Sequence, residues 1–66
     1  MPIFIQLVTF SSSTGKFNAD GDTQAINEVL QRLQDKGARI ISIVPQIGGA
    51  TSAVYTITYE APKQIK

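Results

Sequence analysis

The sequence predicts an α+β fold: one βαββ domain with a three-stranded antiparallel sheet in the order 1-3-2 and one helix packed on one face. Three observations lead there. An apolar run from Ile3 to Phe10 has the length of a strand. Ile26, Val29, Leu30 and Leu33 fall at i, i+3, i+4 and i+7, the stripe of an amphipathic helix, and Gly37 follows its end. Two further strand-like runs, from Arg39 to Ile47 and from Ala53 to Glu60, flank Gly48-Gly49.

The first strand, residues 3–10, is apolar on both sides. Ile3, Ile5 and Leu7 share one face; Phe4, Val8 and Phe10, with Gln6, share the other. That pattern suits a strand covered on both sides. The connection that follows, SSSTGKFNADG from Ser11 to Gly21, is rich in turn-forming residues and longer than most connections in a compact domain. Phe17 within it must tuck under the sheet or meet a partner.

The helix is expected over residues 23–36. Asp22 or Thr23 is placed to accept a free backbone N–H at its start, and Asp20 and Asp22 suit the positive end of its dipole. Glu28 and Arg32 are spaced i, i+4 in the favourable order, worth ~0.3 kcal/mol. Lys36 suits the negative end. Gly37 fits the left-handed position that closes many helices.

The second strand is expected at 39–47 and the third at 53–60. A hairpin makes them neighbours, and a β-α-β crossover makes the first two strands parallel. Inserting the third strand between them gives the order 1-3-2. It also places Pro45, which cannot donate to a ladder, on an edge. Pro62 ends the third strand, and residues 62–66 are expected to fray.

One helix covers one face of such a sheet. Ile3, Ile5, Leu7, Ile41, Ile43, Tyr55, Ile57 and Tyr59 suffice to fill that core. Phe4, Val8, Phe10, Ile40, Val44 and Val54 then remain as an uncovered apolar face and a candidate interface. The alternation leaves the assignment of the two sets open to reversal. Six such side chains make a patch of several hundred Å2, at the upper end of what monomers expose. Self-association, face to face or through a strand edge, is the expectation, as a dimer or a higher homo-oligomer.

Composition narrows the chemistry. At 66 residues the chain holds at most one domain, and a domain this size buries only ~60% of its unfolded surface. With no Cys and no His, it has no disulfide, no thiolate metal site and no imidazole proton shuttle. A partner subunit is the remaining stabiliser. No nucleophile–base set can be assembled, so no enzyme activity and no cofactor are expected. A net charge of +1 is too small for a nucleic-acid footprint. No apolar run approaches the ~20 residues of a membrane span. A cytoplasmic chain that binds itself, or another protein, is the default.

Three weaker patterns complete the reading. SSTGK at Ser12–Lys16 lacks the earlier Gly and the following Ser or Thr of a phosphate loop. Asn18, Asp20 and Asp22 have the one-three-five spacing of a calcium loop, but Thr23 and Val29 stand where that loop needs Gly and Glu. Tyr55 and Tyr59 share a strand face and could stack on an aromatic ligand, with Arg39 as an anion contact. Ligand binding by these three at a subunit interface is the alternative function.

The helix end Lys36-Gly37 and the strand RIISIVP from Arg39 to Pro45 resemble a small bacterial family of unknown function. In that family a helix ends in Gly-Trp-Glu before a Val-Ser-Val-type strand; Ala38 stands here in the place of the Trp. The resemblance covers under a third of the chain and implies a βαββ fold without an activity. The element order and length are also similar to dodecins, small flavin-binding proteins that assemble into hollow spheres. Dodecins stack flavin on a Trp that this chain lacks, so no binding residue is carried over.

Overall fold

A computed structural model describes residues 1–11, 19–47 and 52–65. The elements run β1 (Ile3–Ser11), α1 (Ala19–Asp35), β2 (Arg39–Ile47) and β3 (Ser52–Glu60). The strands form an antiparallel sheet in the order β1-β3-β2, with α1 packed on one face. β2 and its Pro45 therefore lie at an edge, as the hairpin-plus-crossover argument requires. The phosphate-loop-like stretch, Phe17, Asn18 and the Gly48-Gly49 turn lie outside the described residues.

α1 begins at Ala19, four residues ahead of the expected start. Asp20 and Asp22 consequently sit inside its first turn, where the helix dipole favours them, and neither Asp22 nor Thr23 is a cap. Glu28 does not pair with Arg32 among the described residues; it accepts from Gln24 Nε2 at 3.5 Å, and Gln31 Nε2 donates to Asp35 Oδ1 at 2.8 Å.

The helix end is tightly specified. Ala38 N–H donates to the Leu33 carbonyl and Gly37 N–H to the Gln34 carbonyl, both at 3.0 Å. This paired closure needs a left-handed residue at its centre, and Gly37 has φ 94°. Ala38 then folds back against the cluster that holds Leu33, so the cap also directs β2 onto the sheet.

The core is small. Leu33, Ile57, Tyr59, Ala61 and Ile65 form its buried cluster, with Phe4, Val8, Val29, Leu30, Ala38 and Ile40 packed around it. The expectation of a frayed 62–66 tail fails at Ile65, which is only 8% exposed and donates its N–H to the Tyr59 hydroxyl at 3.1 Å. The gain from burying an Ile and the partner for its amide outweigh the freedom of a terminal segment. Among the described residues no helix is long and apolar enough to cross a membrane.

Candidate interaction surface

The register of the sheet decides which residues form its open face. Phe4, Val8 and Phe10 lie across from Tyr59, Tyr55 and Ala53 on the side of α1. Phe4 and Tyr59 rings meet at 5.7 Å between centroids, and Phe10 meets Tyr55 edge-on at the same separation. Phe4, Val8 and Ile40 thus belong to the helix side, not to the uncovered face expected of them. Ile3, Ile5 and Leu7, expected in the core, are exposed by 61%, 57% and 52%. The two sets on β1 are exchanged.

The exchange is not uniform, because β2 carries a bulge. Ile40 is opposite Tyr59 and Ser42 opposite Thr58, so Ile41 is an extra residue between them. An inserted residue resets the two-residue alternation. Ile40 and Ile43 therefore both fall on the α1 side, opposite Tyr59 and Ile57. Ser42 and Val44 fall on the open side, opposite Thr58 and Thr56. Ile40 and Val44, expected on one face, are on opposite faces. Of the expected interface residues, Val44 is exposed by 56% and stays on the open face with the half-buried Val54.

Rows across the open face read Ile3–Glu60–Arg39, Ile5–Thr58–Ser42, Leu7–Thr56–Val44 and Thr9–Val54–Gln46. The apolar character is concentrated on β1, at one side of the sheet. The central strand contributes threonines. Arg39 Nε donates to Glu60 Oε1 at 2.5 Å and closes one end of the face with an ion pair. That hydrogen bond is the main reason the Glu60 carboxyl titrates below its ordinary range.

Tyr55, Tyr59 and Arg39 are not brought together as a ligand site. Tyr59 is 1% exposed with its hydroxyl engaged by the Ile65 amide, and Tyr55 lies against Phe10 on the α1 side. Arg39 lies in the opposite-face row with Glu60. An open cleft of about 710 Å3 beside the helix end is lined by Lys36, Pro62, Lys63, Gln64 and Ile65, and by none of those three. Asp20 and Asp22 are in a helix rather than in a cation loop, and among the described residues no acidic cluster is arranged to hold a metal.

Ile3, Ile5 and Leu7 are the surface residues that sequence reasoning assigned elsewhere. One signal was available on β3. Thr56, Thr58 and Glu60 share one side of that strand, the composition of a solvated face. Comparison with protein-family models, curated proteins and solved structures finds no match.

Proposed function

We propose that this protein is a non-enzymatic interaction module that works by self-association through the apolar stripe on its helix-free sheet face. The observation that carries the reading is the exposure of Ile3, Ile5, Leu7 and Val44, each more than half open to solvent on one face of a 66-residue fold. Covering the open half of the three β1 side chains, Ile3, Ile5 and Leu7, contributes about 1 kcal/mol each before association costs. That is comparable with the ~5 kcal/mol total stability of a domain this small. The absence of His and Cys from the sequence supports a binding role over catalysis.

The test is a light-scattering mass at micromolar concentration, using the 7.1 kDa chain as the unit. A multiple of the chain mass is expected, falling toward one chain in Leu7→Lys without loss of the thermal transition. A wild-type mass of one chain at every concentration ends the proposal.

A further inference from the structure

The two edges of the sheet are unequal, and the inequality points to how two copies meet. The direction of each backbone group follows from one hydrogen bond. The Ala61 amide donates to the Pro2 carbonyl at 3.2 Å, one step beyond the Ile3–Glu60 pair. In an antiparallel ladder, bonded and non-bonded pairs alternate. Phe4–Tyr59, Gln6–Ile57, Val8–Tyr55 and Phe10–Ala53 are then the bonded pairs. The amides and carbonyls of Ile3, Ile5, Leu7 and Thr9 point away from β3, along the outer edge. Gln6 agrees with this: its Nε2 donates to the Leu7 carbonyl at 3.1 Å, a carbonyl that β3 does not use.

The same alternation applied to the other edge gives the opposite result. Tyr59, Ile57 and Tyr55 turn their backbone groups to β1, so Thr58, Thr56 and Val54 turn theirs to β2. Ser42, Val44 and Gln46 are their partners, and Ile43 and Pro45 face outward. The missing N–H of Pro45 thus falls on the outer edge of β2, four residues along from the Ile41 bulge. Proline, a bulge and a terminal charge at Arg39 are the devices that keep an edge from adding a strand. β1 has none of them. It is nine residues long, without proline, charge or bulge.

We infer that the partner is a second copy of this chain, added β1 to β1 in antiparallel pairing about a two-fold axis, so that the two sheets become one six-stranded sheet. The inference rests on the self-association proposed above and specifies its mode. Three properties of β1 carry it. An antiparallel pair of identical strands is self-complementary, as a two-fold interface requires. The strand has no charge to repel its copy. Its outward backbone groups belong to the residues whose side chains form the exposed stripe. With Gln6 on the axis, Ile5 lies across from the partner's Leu7, and Ile3 across from the partner's Thr9. Roughly eight ladder hydrogen bonds form in that register. The apolar stripe, lateral on one chain, becomes the centre of the joined sheet, where cross-strand pairs of Ile and Leu stabilise the contact. Stacking the faces instead would set the threonines of β3 at the centre of the contact and leave the outward β1 amides without a ladder partner among the described residues.

The test is amide hydrogen exchange on the full chain at concentrations spanning the association seen by light scattering. The Ile5, Leu7 and Thr9 amides are expected to slow at least tenfold as the dimer forms, while the Ile43 amide on the other edge is unchanged. Leu7→Pro removes an outward donor and no bond to β3, and is expected to give a one-chain mass with the strand and helix circular dichroism retained. An oligomer in which the Ile5, Leu7 and Thr9 amides stay fast overturns the edge mode and leaves self-association standing. A one-chain mass at every wild-type concentration overturns both.

Discussion

The hydroxyl of Tyr59 accepts a 3.1 Å hydrogen bond from the amide of Ile65, both residues being buried. The bond ties the last described residues to the middle strand of the sheet. It satisfies an amide that burial would otherwise leave without water, and it gives the Tyr59 ring a polar partner in the core. The C-terminal segment is thus a structural element of the domain.

Tyr59→Phe keeps the ring and removes the acceptor. The Ile65 amide is then buried without a partner, a loss of about 1–2 kcal/mol. Urea denaturation should show a lower midpoint with an unchanged slope, and the Ile65 amide should exchange faster. An unaltered midpoint would contradict a closed tail.

Leu33 and Ile65 meet in the same cluster but differ in exposure, 0% against 8%. Leu33→Ala should cost about 3–5 kcal/mol and Ile65→Ala about 2 kcal/mol. With so small a reserve of stability, Leu33→Ala is expected to leave a large unfolded fraction at 25 °C, visible by circular dichroism. Ile65→Ala should remain folded with a lowered melting temperature.

Glu60 is held ionised chiefly by the Arg39 hydrogen bond, so its folded-state pKa lies below its unfolded one. Its contribution is complete above the ordinary carboxylate range and is lost as pH falls through the depressed value. Acid titration of stability should therefore lose part of its slope below about pH 4.5 in Glu60→Gln, and less of it in Arg39→Ala, where the N-terminal charge still favours the carboxylate. Identical acid limbs in wild type and Glu60→Gln would remove the linkage.

Gly37 lies at φ 94°, and a Cβ built there meets nothing within 4 Å. Any penalty in Gly37→Ala is then conformational, about 1–2 kcal/mol for holding an L-residue left-handed. Gly37→Asn should recover part of it, since Asn tolerates that region. Equal melting temperatures for the Ala variant and wild type would show that the helix closes another way.

The helix stripe, the Gly37 cap, the hairpin and the edge position of Pro45 were readable because each is local. They depend on periodicity, on one left-handed residue and on one missing donor. Even the strand order followed, since a hairpin and a crossover leave few arrangements. The β3 core residues Ile57 and Tyr59 were also correctly placed, because the opposite side of that strand is mostly threonine.

What the chain's own order of residues determined is therefore the set of elements and how they are connected. The tertiary structure alone decided which face of β1 and of β2 is covered. β1 is apolar on both sides, so its alternation is equally satisfied either way, and its register against β3 is set across some forty residues of intervening chain. On β2 the extra residue Ile41 reverses the alternation midway, which separates Ile40 from Val44. At the C-terminus, the space beside Tyr59 turned an expected frayed tail into core. Each of these depends on contacts between distant segments, and the exposed Ile3–Ile5–Leu7 stripe is their joint product.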